Sequence, residues 1–257
     1  MFSRADSAMR ERLEEIWRLC FGDPQAYVDL FFERRFRPED TMVWLEGGRP
    51  AAMLFALPMQ LIAEGKSYPA RYFYAVATHP DFQGRGLSTR LMEESHRLLA
   101  GEGAAAAVLT PASPALFDFY QKRGFAAQFF AETVSLGRAD FAGRAPLALE
   151  KSSLTDCRGL RERFLAGFGL YNSWDEAALR YNDREAAFLG GGVWRFEGGY
   201  ALCYPDKDRV LVKELIGEPP LEPLAAALAA VYGAGEIAFR RPGPGETPLG
   251  MSRWYID

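Results

Sequence analysis

One stretch, Tyr72 to Met92, limits what this chain can fold into more than any other. Its first part, Tyr72 to Thr78, is aromatic and β-branched enough to predict a buried strand. Pro80 ends that strand, because proline has no N–H to give to a ladder. Gln83-Gly84-Arg85-Gly86 predicts a tight turn, and Leu87, Leu91, Leu98 and Leu99 mark the apolar face of a helix over Leu87 to Leu99. Ser88 and Thr89, short and polar, stand where that helix begins. The local order is strand, glycine turn, helix N-terminus.

That order has a chemical use. The first turn of a helix leaves four N–H groups without internal partners, at the positive end of the helix dipole. Glycines let a diphosphate come close to the backbone, and Arg85 adds a mobile positive charge. A Gly-x-Gly turn alone is equally explained by strand-to-helix geometry. A second pattern follows at Ser113-Pro-Ala-Leu-Phe-Asp-Phe-Tyr120-Gln-Lys-Arg-Gly124-Phe125.

The two patterns together resemble the GNAT superfamily of N-acetyltransferases. The first matches its acyl-CoA loop, Q-x-x-G-x-[GA], with Ser88 in the last position. The second matches its N-x-x-A-x-x-F-Y-x-x-x-G-F motif at Phe119, Tyr120, Gly124 and Phe125, while Ser113 and Leu116 replace Asn and Ala. Tyr74 to Pro80 leans toward the Eis-like branch. The resemblance implies an α/β (α+β) fold with a mixed central sheet flanked by helices, and acetyl-CoA as co-substrate. It implies that the backbone of Val76, Ala77 and Thr78 holds pantetheine, and that Gln83, Gly84, Arg85, Gly86, Leu87, Ser88 and Thr89 form the diphosphate loop, with Ser113 beside the coenzyme. Tyr120 would be the general acid to the departing thiolate, since a phenol titrates near that of an alkyl thiol. The other reading of Tyr120 is packing on one helix face with Leu116 and Phe117.

The 257 residues suffice for one large domain or two compact ones, and 49% apolar with 25% charged residues is ordinary for a globular protein. A net charge of −4 argues against nucleic acid, and no apolar run is long enough to span a bilayer. The start, Met1-Phe-Ser-Arg-Ala-Asp, lacks signal-peptide features. Cys20, Cys157 and Cys203 are scattered and odd in number, which fits a reducing cytoplasm; with only His79 and His96 besides, no metal site is expected.

Along the chain, helices are predicted over Met9 to Leu19 and Gln25 to Arg35, then strands over Thr41 to Leu45, Pro50 to Pro58, Gln60 to Glu64 and Lys66 to Phe73. Ala105 to Thr110 reads as a strand, Pro114 to Arg123 as a helix opened by Ser113 and closed by Gly124, and Phe125 to Leu136 as one or two strands. Composition marks 138–146 as a linker; the resemblance implies a catalytic domain at 1–137 and, from a similar strand-strand-strand-helix-strand order, a second GNAT-like lobe at 147–257. In that lobe helices are expected at Arg158 to Ala166, Glu176 to Tyr181 and Pro223 to Tyr232, and strands at Gly192 to Phe196, Tyr200 to Tyr204, Arg209 to Ile216, Glu236 to Arg240 and Ser252 to Ile256. Its turn, Gly217-Glu-Pro-Pro220, carries a carboxylate and lacks two N–H donors, so it is read as degenerate.

The expected activity is transfer of an acetyl group to a primary amine, on a small molecule or peptide, by direct attack. Rival readings are an acyl-CoA-binding module without turnover, and aminoacyl or peptidyl transfer on a doubled fold. A homo-oligomer is compatible with either. Asp23, Glu33, Glu64, His79, His96, the Asp257 carboxylate and water remain open as the general base, with the histidines and acidic side chains more simply read as structural or solvated. One or two aromatics of Trp17, Phe21, Tyr27, Phe31, Phe32 and Phe36 would line an acceptor pocket, the others being core.

Overall fold

The structure, a computed structural model, describes residues 1–243 and 247–256. In chain order it has β1 (Phe2–Arg4), α1 (Arg10–Phe21), α2 (Gln25–Arg34), β2 (Thr41–Glu46), β3 (Arg49–Ala63), β4 (Lys66–Thr78), α3 (Leu87–Gly101), β5 (Ala106–Leu109), α4 (Ala115–Gln121) and β6 (Ala126–Gly137). There follow α5 (Arg138–Phe141), β7 (Glu150–Ser152), α6 (Leu154–Leu165), β8 (Leu170–Ser173), α7 (Glu176–Phe188), β9 (Gly192–Phe196), β10 (Gly199–Asp206), β11 (Arg209–Ile216), α8 (Leu221–Tyr232), β12 (Glu236–Pro242) and β13 (Thr247–Trp254).

Two compact units result. The first contains Met1–Gln128 and the C-terminal residues from Gly250 on; the second contains Phe129–Leu249. Residues 138–146, read from composition as a linker, lie inside the second unit, where α5 buries Phe141 against that unit's core. The sheet of the first unit runs β1-β2-β3-β4-β5-β13, antiparallel except between β4 and β5. The sheet of the second runs β7-β9-β10-β11-β12-β6, antiparallel except between β11 and β12. This is a mixed α/β architecture with helices packed on mixed sheets, as the sequence led us to expect.

Several boundaries differ from expectation. Pro50 to Glu64 does not break into two strands: β3 runs through Pro58, whose missing N–H does not interrupt its pairing with Arg71. Lys66 to Thr78 is likewise one strand, turning out of β3 through Glu64 and Gly65, both with positive φ. The final strand is Thr247–Trp254 rather than Ser252 to Ile256, because its ladder with β5 ends at Trp254↔Ala106. Helix α7 continues to Phe188, burying Leu179, Tyr181, Glu185 and Ala186.

The first unit's core has two parts. On one face of β4, Trp17, Phe31, Phe32 and Phe55 pack ring to ring, with Trp17 and Phe31 centroids 4.8 Å apart. On the other, Phe73 and Phe125 meet Leu87, Leu91 and Leu99 of α3. Each large apolar side chain removed from water this way contributes about 1.5–3 kcal/mol. These aromatics therefore hold α1, α2 and α3 against the central strand.

Candidate functional site

The site begins with a defect in the sheet. Met53 pairs with Ala77 and Phe55 with Tyr74, so Leu54 faces two residues of β4, and Ala75 takes φ 47°. An alanine in the left-handed region costs about 1–2 kcal/mol, which the surrounding pairing must offset. The parallel ladder between β4 and β5 covers Ala70–Tyr72 and stops there, while β4 runs on to Thr78. Beyond Tyr72 the β5-side backbone groups of β4, including those of Val76, Ala77 and Thr78, are outside that ladder.

Glycine then turns the chain. Gly84 and Gly86 have φ 74° and 71°, and a Cβ at either would meet nothing within 4 Å. Their requirement is thus conformational rather than steric. Gly86 is the N-cap of α3 and, lacking a side chain, offers no cap to the N–H groups of Leu87, Ser88 and Thr89. Ser88 and Thr89 lie in the first turn of the helix, where the sequence places its beginning, and are half-buried. Gln83 folds back, its Nε2 donating to the Thr78 carbonyl at 3.0 Å. Arg85 is exposed; its guanidinium donates to the Asp81 carbonyl at 3.1 Å and lies 5.1 Å over the Phe82 ring.

Helix α4 brings Tyr120. Ser113 does not cap it: the helix starts at Ala115 after Pro114, and Ser113 is exposed, contributing its carbonyl to the Leu116 N–H at 3.1 Å. Gly124, with φ 82°, ends the turn as expected, letting Phe125 N–H reach the Tyr120 carbonyl at 3.2 Å. Tyr120 packs edge-on to Phe119 and Phe125. Burial pushes its phenol pKa up; the Arg123 charge pulls back and Tyr72 adds to the rise. Tyr120 also packs against the core cluster that holds Phe73 of β4.

Two arginines were not singled out from sequence. The Arg123 guanidinium lies 3.4 Å over the Phe119 ring and donates through Nε to Thr89 Oγ1 at 3.1 Å, tying α4 to the first turn of α3. Arg253 donates to the Arg123 carbonyl at 2.8 Å. Only the position of Arg123 beside the motif glycine could have drawn attention to it.

The general-base candidates are not gathered at Tyr120. Glu33 and Glu64 are exposed, and Asp23 accepts from Trp17 Nε1 at 2.8 Å. His79 Nδ1 accepts from the Asp81 N–H at 3.2 Å, a local turn. His96 is buried and stacked on Phe73, its pKa pushed down to about 3 by burial. Asp257 lies outside the described residues. Of the aromatics near α1 and α2, Trp17, Phe31, Phe32 and Phe36 are core; the Tyr27 hydroxyl stands 3.4 Å from that of Tyr74.

In the second unit the β11–β12 ladder also stops early, at Val212, while β11 continues to Ile216. Its helix α8 follows exposed Glu218 and has Pro220 as N-cap and Pro223 within its first turn. The early end of the ladder repeats; the Gly-x-Gly turn before the helix does not. Among the described residues no group of three or more His, Cys, Asp or Glu is placed to hold a metal ion, and no helix is long and apolar enough to cross a membrane.

Residues 2–127 match the family model described as an acetyltransferase (GNAT) domain. No curated protein matches the sequence. Among solved structures, a GCN5-related N-acetyltransferase from Anabaena variabilis superposes with TM-score 0.73 at 16% identity, over 99% of this chain and 72% of that one. Eis1 from Mycobacterium abscessus gives 0.71 at 15%, over 99% and 73%. A GCN5-related N-acetyltransferase from Kribbella flavida gives 0.69 at 17%, over 99% and 71%.

Proposed function

From the premise that residues 2–127 belong to the GNAT acetyltransferase domain family, we propose that this protein transfers an acetyl group from acetyl-CoA to a primary amine. The observation that carries the proposal is the uncapped start of α3, after a central strand whose ladder with β5 has ended, with Tyr120 packed against the core that holds Phe73 of that strand. The coenzyme supplies the activated thioester. The amides of Gly84 to Thr89 would bind its diphosphate, and the N–H of Val76 or Ala77 would donate to the thioester carbonyl oxygen as charge develops there.

In the reaction the amine nitrogen forms a bond to the acetyl carbon, and the carbon–sulfur bond breaks. Tyr120 gives its phenolic proton to the leaving sulfur, and the proton lost by the amine goes to water or to a base of the acceptor cleft. A raised phenol pKa keeps Tyr120 protonated at neutral pH, the form this step needs. Replacing Tyr120 with Phe should lower kcat by about 10²–10⁴ with KM for acetyl-CoA retained. Thiol release with a panel of amines measures this; a variant with full kcat refutes the general-acid role. The rest of the chain, with its proline-flanked α8, is assigned no second coenzyme.

A further inference from the structure

Strand β13 brings residues from the far end of the sequence against the turn that carries Tyr120. Arg253 donates to the Arg123 carbonyl at 2.8 Å, across 130 residues of chain. The same turn hydrogen-bonds the Tyr120 carbonyl twice, from Arg123 N–H at 2.9 Å and Phe125 N–H at 3.2 Å. The Arg253 side chain also runs beneath Gly124, where an added Cβ would stand 3.2 Å from Nε. Gly124 is therefore required twice, for its positive φ and for the passage of this arginine. On the far side of the turn, Arg123 reaches Thr89 in α3.

The strand is fixed on both sides of Arg253. Ser252 Oγ bonds Gln128 Oε1, Trp254 Nε1 donates to the same oxygen at 2.9 Å, Tyr255 N–H donates to the Ala105 carbonyl at 2.8 Å, and the Tyr255 hydroxyl meets His96 Nδ1 at 2.6 Å. With the strand tied by these bonds, Arg253 is an anchored strut on the end of α4. Helix α4 is short, spanning Ala115–Gln121, and its N-cap has no side-chain bond. Its last turn is thus the part held by hydrogen bonds to other elements. Because the Tyr120 carbonyl belongs to that turn, a shift there moves the phenol directly.

We infer that Arg253 is a positioning residue for Tyr120, setting the phenol for proton transfer without touching either substrate. The inference rests on Tyr120 acting as general acid, and the test separates the two. Arg253→Met and Arg253→Lys are made alone and in a Tyr120→Phe background, with Arg209→Met, an exposed arginine of β11, as a control. Arg253→Met should lower kcat about 10- to 100-fold, the scale of a misplaced catalytic group. Arg253→Lys, which still donates to the carbonyl, should recover most of that loss, and Arg209→Met should leave kcat unchanged. In the Tyr120→Phe background Arg253→Met should have no further effect, since there is no phenol left to place.

The inference is overturned if Arg253→Met lowers kcat equally in both backgrounds, or not at all, or if Arg209→Met costs as much. If Tyr120→Phe alone keeps full kcat, the general-acid reading fails first and takes this one with it. Should Arg253→Met not fold, Arg253→Gln is measured in the same two backgrounds under the same criterion.

Discussion

Lowering the pH should destabilise the first unit through one buried histidine. His96 is 4% exposed, its ring stacked 5.1 Å from Phe73, and its Nε2 has no hydrogen-bond partner among the described residues. Burial, reinforced by the Arg253 charge, pushes its pKa from 6.5 down to about 3. Between those values the unfolded chain takes up a proton that the folded chain refuses. Stability therefore falls as pH drops through 6.5 toward 3, and is unaffected on the alkaline side. Going from pH 7.5 to 5 should cost about 2 kcal/mol, from RT ln(1 + 10^1.5) for the unfolded state. The chain has only two histidines, so 13C-histidine NMR resolves the matter directly. The resonance lost in His96→Phe should stay at its neutral position down to about pH 4 in the folded protein. Denaturant titrations should show that His96→Phe loses about 2 kcal/mol less than the parent between the two pH values. A His96 resonance titrating above about pH 5.5, or equal pH dependence in parent and variant, refutes the reasoning.

Two substitutions test other parts of the structure. Gly86→Ala meets no steric obstacle but must hold φ 71°, so it should cost about 1–2 kcal/mol and raise KM for acetyl-CoA. Gly101→Ala, at the end of the same helix with equally open space, should cost nothing by thermal shift; equal losses would sink the conformational account. In the second unit, buried Arg161 bonds Glu214 at 3.1 Å and the Asn172 carbonyl at 2.6 Å, with Trp174 under its guanidinium. Arg161→Met leaves the Glu214 carboxylate without its cation, with only the Tyr200 hydroxyl still donating to it, and should cost about 3–5 kcal/mol in denaturant unfolding; less than about 1 kcal/mol would mean the carboxylate relaxes to water.

The parts of the fold legible in sequence are those where local chemistry and tertiary structure agree. The strand into Thr78, the glycine turn and α3 are set by residues within a few positions of one another, and α1, α2 and β9 to β12 by clear periodicity or turns. What escaped reading is set by distant partners. Nothing local places Ala75 at positive φ; the bulge follows from the register of β3 on both sides of Leu54. Gly, Ala, Arg and Pro around 138–146 suggest a linker, yet Phe141 finds a core contributed by residues such as Val210 and Leu224. Ser113 precedes an apolar helix and looks like a cap, but Pro114 takes the N-cap position in an αR conformation, and Ser113 gives its carbonyl instead. Arg253 could not be placed near Tyr120 without knowing which strand lies beside β5.

That last pairing makes the first unit dependent on the chain's end. Strand β5, Ala106–Leu109, is buried throughout, and its second neighbour is β13, paired from Met251↔Leu109 to Trp254↔Ala106. Without β13, β5 would become an apolar edge with unpaired backbone groups, the kind of edge that recruits other chains. A fragment of residues 1–137, set off as the catalytic domain by the resemblance and by the linker-like composition that follows it, should therefore aggregate or populate a loosened state that binds no CoA. Residues 1–128 joined through a flexible linker to residues 247–257 should be monomeric and bind CoA, since both the strand and its Gln128 partner are restored. Size-exclusion chromatography and calorimetry compare the two. If 1–137 alone is monomeric and binds CoA as tightly as the full chain, the C-terminal strand is dispensable, and the bracing of the Tyr120 turn by Arg253 loses its basis.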